Sequence, residues 1–353
     1  MEMVGHYLVL EQRNLRIRLR QRFPALLHHP AQPCRLNPGV RFASDQFAKQ
    51  RRVALRREGH HVYPDFAAAD PEIAALFDKA NDVLGFDLER ICFEGPIEEL
   101  TKSNVCQPAV FTAGVACWTA LRKRLPDAEF SVAAGLSLGE WTALHVAGVL
   151  SFEDALRALE ARGRFMQEAC EATPSGMLTI LGNISEEQLQ EICAKSGMTV
   201  ANRNSQQQTV LSGLLEQIPE GQKIAAGMGV KTVVLKVAGG FHSPLMESAR
   251  AKLAPVLDSI EFHAPSIPVL SNVTGAPHGA PETIRAAMLR QVVEGVRWLD
   301  CVKWCLANGI SQTIELGPGK VLTGLARRID ASIAAANIQD AATLDKALAA
   351  LAQ

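Results

Sequence analysis

The stretch Ala133-Ala134-Gly135-Leu136-Ser137-Leu138-Gly139-Glu140-Trp141 places the pattern Gly-x-Ser-x-Gly between a short apolar run and a predicted helix. A strand, a sharp turn and a helix in that order are typical of a nucleophile elbow, where flanking glycines leave room that a Cβ would fill. Ser137 would then lie at a helix N-terminus, and the backbone N–H of Leu138 would face an oxyanion. The pattern therefore predicts acyl chemistry; a glycine-rich turn without a catalytic role is the alternative.

A serine nucleophile needs a base, and His242 is the histidine best placed to be one. It lies in Gly239-Gly240-Phe241-His242-Ser243-Pro244, directly after a predicted strand that ends near Val237. A loop at the end of a strand can present its side chain at the edge of the sheet. The alternative is a solvated loop histidine.

The chain around these motifs alternates helical and strand-like patterns from about Tyr63, which predicts an α/β protein. Residues 176–237 differ in texture, because their β-α-β-β-α-β order is that of a ferredoxin-like unit small enough to be an insertion. We expect Pro108 to open a helix and residues 331–353, rich in alanine, to form another.

These patterns divide the chain into three predicted parts. Residues 1–60 form a divergent or disordered head with twelve Arg or Lys side chains against four Asp or Glu. Residues 61–173 and 236–353 form the large α/β domain, and residues 174–235 form the inserted subdomain.

Composition excludes several classes of protein. The chain has 353 residues, 48% of them hydrophobic, so it holds enough apolar material for a core and is not a disordered or fibrous protein. Lys and Arg total 36 against 37 Asp and Glu, so no overall basic field favours nucleic acid. No apolar run reaches the ~18–20 residues that cross a bilayer. The eight cysteines include no CxxC pair, which argues against a zinc site and favours free thiols in the cytoplasm.

Several motifs together make residues 63–330 resemble the malonyl-CoA:acyl carrier protein transacylase family. The matching stretches begin at seven places: Cys106-Gln107-Pro108-Ala109, Gly135-Leu136-Ser137-Leu138-Gly139-Glu140, Arg162-Gly163-Arg164-Phe165, Asn202-Arg203-Asn204-Ser205, Gly240-Phe241-His242-Ser243-Pro244, Leu289-Arg290-Gln291 and Gly317-Pro318-Gly319-Lys320. Several motifs in the right order are stronger evidence than any one of them.

The resemblance implies a hydrolase-like parallel-sheet domain with an inserted ferredoxin-like subdomain, and it implies roles for individual residues. Ser137 would attack the malonyl thioester and His242 would be its base, oriented by the backbone carbonyl of Gln291. Leu138 would supply a backbone oxyanion donor. Arg162 would hold the malonyl carboxylate, because a guanidinium grips a carboxylate with two parallel hydrogen bonds.

The resemblance also implies a pocket, substrates and a partner. Gln107 and Asn204 would line the pocket, and the ring of Phe241 would crowd any branched α-carbon. Malonyl-CoA would be the substrate and acyl carrier protein the partner, in fatty acid synthesis. We expect no permanently bound cofactor, no metal, no nucleic acid, no membrane and a monomer.

Two features depart from the family pattern. Leu136 stands where a histidine is usual, and no N-terminal strand running into a Gly-Gln-Gly loop, which would supply an oxyanion donor, is found before Tyr63. Three explanations compete: an organelle-targeting peptide, a replacement strand at Val40 to Ala43, or a misassigned start, which we favour. The departures keep two other functions open, a serine hydrolase or thioesterase with the same elbow and a catalytically weakened homologue that only binds.

Overall fold

The computed structural model describes residues 7–11 and 70–351, and all structural statements below concern these residues. They form nine strands: β1 (Tyr7–Glu11), β2 (Val132–Gly135), β3 (Ser175–Leu181), β4 (Thr199–Ser205), β5 (Gln208–Leu214), β6 (Lys231–Val234), β7 (Val269–Leu270), β8 (Gln312–Leu316) and β9 (Ala334–Ile338). The helices are α1 (Pro71–Leu84), α2 (Leu88–Glu94), α3 (Ile97–Leu100), α4 (Ser103–Arg124), α5 (Leu138–Val146), α6 (Phe152–Ala172), α7 (Glu186–Ser196), α8 (Ile218–Gly227), α9 (Glu247–Asp258), α10 (Pro281–Val293), α11 (Trp298–Ala307), α12 (Val321–Ile329) and α13 (Ala341–Leu351).

The larger sheet has five strands in the order β7-β2-β1-β8-β9, with β2–β7 and β8–β9 parallel. Its strand β2 is buried on both faces: Ala133 packs into one apolar cluster, and its neighbours Val132 and Ala134 pack into another. Successive side chains of a strand point to opposite faces, so helices cover this sheet on both sides. The predicted α/β fold is confirmed.

The position of the first strand in the larger sheet differs from the prediction. β1 lies between β2 and β8 and runs antiparallel to both, with Tyr7 opposite Gly135 and Leu316. The expectation that nothing like the family's first strand precedes Tyr63 is therefore wrong for the strand, although Gln12-Arg13-Asn14 follows it in place of Gly-Gln-Gly. The neighbouring strands have no open edge here. The other candidate, Val40 to Ala43, lies outside the described residues.

The orientation of β1 determines whether the residues after it can supply the oxyanion donor of the family pattern. Tyr7 pairs at the end of β2 that leads into Ser137, whereas Glu11, the last residue of β1, pairs with Gln312 at the opposite end of the sheet. The family pattern places a donor loop directly after the first strand. In this chain, the C-terminal end of β1 lies away from Ser137.

The smaller sheet has four antiparallel strands in the order β4-β5-β3-β6. Helices α7 and α8 pack on it around Leu178, Leu189 and Ile218. The resulting order, β3-α7-β4-β5-α8-β6, is the ferredoxin-like arrangement that the sequence predicted. The unit is inserted between α6 and the loop that carries His242, so both of its ends meet the large domain near that histidine.

Two predicted helices are wrong in part. Pro108 does not open a helix but lies inside α4, whose residues 105–117 are buried, so tertiary packing outweighs the hydrogen bond that proline cannot donate. The alanine-rich end is not one helix: β9 precedes α13, because Ala335 and Ile338 are buried beside β8 in a parallel pairing. Packing overrides the helical propensity of alanine there.

No helix in the described part of the chain is both long and apolar enough to span a bilayer.

A proline substitution distinguishes the two candidate first strands. We expect Val9→Pro to lower the free energy of unfolding by roughly 3 kcal/mol, because a strand with neighbours on both sides has no position where a missing N–H is harmless. Urea denaturation followed by circular dichroism measures this change. Val40→Pro is the matched comparison: a loss in Val9→Pro alone would assign the strand to Tyr7–Glu11, and the opposite pattern would assign it to residues 40–43.

Candidate active site

A cleft of about 290 Å³ opens between the C-terminal end of β2 and the ferredoxin-like subdomain. Its walls combine residues from both parts of the molecule: Thr101, Ser103, Cys106, Gln107, Leu136, Ser137, Leu138, Arg162, Met166, Asn202, Lys236, Val237, Ala238, Phe241 and His242. Residues more than 100 positions apart in the sequence meet in this cleft, because the C-terminal end of β2 and the loop after β6 lie next to each other.

Ser137 adopts a strained backbone, with φ 54° and ψ −107°, between β2 and α5. A residue with a Cβ rarely has a positive φ, and such strain is found where the surrounding structure holds a functional side chain in place. A Cβ on Gly135 would lie 2.0 Å from the carbonyl carbon of Gly139, so only glycine lets the strand pass this close to the helix. The strand, turn and helix of the predicted elbow are therefore present.

His242 and Ser137 are in contact despite being 105 residues apart. The Ser137 Oγ lies 2.7 Å from His242 Nε2, and His242 Nδ1 lies 2.8 Å from the backbone oxygen of Gln291. Because a carbonyl only accepts, Nδ1 carries the proton and Nε2 is left to accept from the serine hydroxyl. The orienting group is thus a carbonyl and not a carboxylate.

Arg162 is buried at the floor of the same cleft, with 2% of its surface exposed. Its Nη2 donates to Ser137 Oγ at 3.0 Å and to Gln291 Oε1 at 3.1 Å, and its Nη1 donates to Gln107 Oε1 at 2.6 Å. These acceptors are neutral oxygens. Burial lowers the pKa of the guanidinium to about 10, and the charge of Glu140 counteracts part of that effect, so the group is still cationic at neutral pH.

Close packing of two helices places this arginine. A Cβ on Gly163 would lie 2.3 Å from the Ser103 carbonyl oxygen, so α6 and α4 touch through their backbones at this point. The contact brings Arg162 on α6 and Gln107 on α4 to the same side of the cleft.

The electrostatic environment keeps His242 neutral. Burial and the nearby positive charge of Arg162 together lower its pKa to about 4, and the hydrogen bond to the Gln291 carbonyl counteracts part of that effect. An imidazole must be neutral to accept a proton. At neutral pH, His242 is in that form.

The other predicted site residues divide into two groups. Gln107, Leu138 and Phe241 line the cleft, and Phe241 also packs against the core of each domain. Asn204 does not line it. Asn202, two residues earlier on β4, does: it is fully buried, and neither polar atom of its side chain has a hydrogen-bond partner among the described residues.

Sequence reasoning missed three polar residues beneath the elbow. Asn272 accepts from the Ser137 backbone N–H at 2.6 Å, and Glu140 contacts both Gln291 and His278. Glu140 stands inside the motif that decided the fold, yet nothing in its spacing distinguishes a buried acid from a solvated one on the first turn of a helix. Lys236, exposed at the cleft wall, was likewise not singled out.

Within residues 7–11 and 70–351, no group of three His, Cys, Asp or Glu side chains is arranged to hold a metal ion.

Comparison with known proteins identifies the family of this chain. The acyl transferase domain model matches residues 59–347. The malonyl CoA-acyl carrier protein transacylase of Salmonella typhimurium is 37% identical over 292 residues, which is 80% of this chain and 93% of that protein. An acyl carrier protein S-malonyltransferase from Vibrio cholerae superimposes with a TM-score of 0.78 at 35% identity, covering 82% of this chain and 96% of that one.

A further solved structure holds a malonyl-transacylase in complex with its type II polyketide-synthase acyl-carrier protein; it superimposes with a TM-score of 0.76 at 38% identity, over 82% of this chain and 96% of that one. Because the family model and these relatives cover most of the chain, it belongs to the acyl transferase domain family and, within it, to the malonyl-CoA:acyl carrier protein transacylases.

Proposed function

We propose that the chain transfers a malonyl group from malonyl-CoA to the phosphopantetheine thiol of acyl carrier protein through a malonyl ester on Ser137, in fatty acid biosynthesis. The observation that carries this proposal is the buried Arg162 guanidinium 3.0 Å from the Ser137 hydroxyl. A buried cation held by neutral oxygens favours an anionic ligand, and the free carboxylate of a malonyl thioester lies one carbon from the reacting carbonyl.

The first half-reaction would use each contact in the cleft. Ser137 Oγ attacks the thioester carbon as its proton passes to His242 Nε2, and the carbonyl electron pair moves to the oxygen. Leu138 occupies the first position of α5, where its backbone N–H has no intrahelical acceptor and would donate to that oxyanion. Collapse breaks the C–S bond, and coenzyme A leaves with the proton from His242.

The second half-reaction reverses these steps. The carrier thiol gives its proton to His242 and attacks the malonyl ester, and the Ser137 oxygen leaves with that proton. All groups required are side chains or backbone atoms of this chain, so the proposal includes no bound cofactor and no metal. The transacylase complex noted above supports a carrier protein as the acceptor.

Substrate charge would also activate the base. The positive charge of Arg162 lowers the pKa of His242. A malonyl carboxylate on the guanidinium would offset that charge and raise the pKa of His242 toward its ordinary value, making it a stronger base. An acetyl group would give no such offset. Charge recognition and base strength are coupled in this proposal.

The hydrolase and binding-only alternatives are less well supported. Hydrolases with this elbow place an acid between the serine and a histidine near the chain end. Here His242 bonds to a carbonyl, and 111 residues follow it in the 353-residue chain. The Ser137–His242 contact at 2.7 Å argues for a working nucleophile and against a module that only binds.

We further propose that the protein is a monomer in the cytoplasm. None of the described cysteines forms a disulfide, which fits a reducing compartment.

A mass measurement tests this function. Mixing the protein with malonyl-CoA should add one malonyl group to Ser137, and Ser137→Ala should add none. Arg162→Ala should lower the malonyl-CoA acylation rate by about ten- to a hundredfold, because a hydrogen-bonded charge contributes ~1.5–3 kcal/mol, and it should not lower acetyl-CoA acylation.

The acceptor separates the alternatives in the same assay. Adding holo acyl carrier protein should discharge the malonyl-enzyme faster than water does. Rapid release of malonate without a carrier would support the hydrolase, and binding of coenzyme A without any acyl-serine would support the weakened homologue. Equal labelling by both thioesters would contradict the role of Arg162.

The pH dependence of Ser137 reactivity tests the state of His242. The rate of modification by a neutral fluorophosphonate should fall with decreasing pH, with a midpoint near 4, because protonated His242 cannot act as a base. Arg162→Gln should move the midpoint up toward 6.5, since one cause of the depressed pKa is removed.

Circular dichroism at each pH should accompany this measurement, so that only folded protein is compared. Ser137→Ala is the blank. A midpoint near 6.5 in the parent protein would contradict a buried, neutral His242.

A further inference from the structure

Glu140 is a fully buried acid that does not line the cleft. It lies on the first turn of α5, one turn after Ser137. Its Oε1 contacts His278 Nε2 at 2.6 Å, and its Oε2 accepts from Gln291 Nε2 at 2.6 Å and from the Asn272 backbone N–H at 3.2 Å. An acid at this depth costs free energy unless its hydrogen bonds are made, and both oxygens of Glu140 make them.

The first consequence concerns the polarity of the Gln291 amide. A carboxylate only accepts, and so does the Ser137 carbonyl, which lies 2.9 Å from Gln291 Nε2. The NH2 end of Gln291 must therefore face both of these oxygens. Its Oε1 is left to face Arg162 Nη2. The carboxylate thus fixes which end of the amide meets the guanidinium.

The second consequence concerns the elbow itself. Asn272, whose backbone N–H donates to Glu140, accepts from Ser137 N at 2.6 Å and donates through Nδ2 to Gly135 O at 2.7 Å. Both bonds hold the strained turn. One carboxylate therefore touches the residue that orients Arg162 and the residue that holds the nucleophile's backbone.

His278 completes the arrangement from the loop after β7. Its side chain is 2% exposed, and because Glu140 Oε1 accepts, the His278 Nε2 must carry a proton. It donates to one carboxylate oxygen of Glu140, and the other oxygen accepts from Gln291 and Asn272. The acid, which lies on α5, is thus held from two other elements, α10 and the loop after β7.

We propose that Glu140, held by His278, is a positioning residue for malonyl recognition: it orients Arg162 through the side-chain amide of Gln291. Glu140 itself touches neither the cleft nor the reacting atoms. The proposal rests on the function proposed above and adds a selectivity determinant that lies beneath the site.

The test is a double-mutant cycle on the ratio of acylation rates with malonyl-CoA and acetyl-CoA. Glu140→Gln keeps the shape but replaces one accepting oxygen by an NH2 group, so the Gln291 amide is no longer forced to present its oxygen to Arg162. We expect the ratio to fall about tenfold, the value of one hydrogen bond to a charged group. In an Arg162→Ala background, the same substitution should change the ratio less than about twofold.

Other variants separate positioning from support of the fold. Glu160→Gln, the same substitution two residues from Arg162 on the surface of α6, is the matched control and should leave the ratio unchanged. His278→Leu should lower the ratio because it frees Glu140 Oε1, and His278→Gln, which restores a donor, should recover it. The His278 pair also tests the proposal if Glu140→Gln does not fold.

Each outcome is decisive. An unchanged ratio in Glu140→Gln, an equal loss with both thioesters, or the same loss in the Arg162→Ala background would overturn the positioning role and leave a purely structural acid. A parent protein that forms no malonyl-serine would instead overturn the proposed function, so the two failures are distinguishable.

Discussion

The burial of one positive charge is the constraint on which the site depends. Taking a guanidinium out of water costs several kcal/mol, so its surroundings must return hydrogen bonds. The Arg162 bonds to Gln107, Gln291 and Ser137 do so with uncharged oxygens, which leaves the charge itself uncompensated in the immediate contact shell. In the proposed function, that incomplete compensation favours a carboxylate ligand, because a carboxylate supplies the negative charge that neutral oxygens lack.

The same charge connects recognition to reactivity. It depresses the basicity of His242, which is already weakened by burial. In the proposed function, the charge of the malonyl carboxylate would relieve this depression and so activate the serine. Such an arrangement disfavours reaction with uncharged acyl groups twice, once in binding and once in the proton transfer.

Much of the fold and of the site could be predicted from the sequence, because a few of its local patterns fit few other structures. A serine on a glycine-flanked turn between a strand and a helix predicts Ser137 exposed at an elbow, and a histidine after a strand end predicts His242 nearby. The roles of Arg162 and Gln291 were predicted only from the resemblance of their motifs to those of the family. The α/β fold and the ferredoxin-like insertion followed from periodicity.

What the sequence could not predict depends on contacts between distant segments. Glu140, His278 and Asn272 come together across more than 130 residues, and no local pattern marks a buried acid. Asn202 and Asn204 lie on the same strand, β4, whose pairing with β5 is irregular, and no sequence pattern indicates which of them reaches the cleft. Tyr7–Glu11 is too short and too isolated in sequence to be recognised as a central strand, and Pro108 is tolerated in α4 because residues 105–117 around it are buried.

The central position of β1 has a consequence for how the protein folds. Tyr7 pairs with Gly135 on one side and with Leu316 on the other, so one of its neighbours on the sheet is separated from it by most of the chain. Pairing of this kind raises the contact order and slows folding, since the loop entropy is lost before the contacts form. A ribosome synthesises the chain from the N-terminus, so β1 emerges first but can complete the sheet only after β8 has left the exit tunnel. The ferredoxin-like unit, whose strands all lie within 60 residues, is free to fold long before.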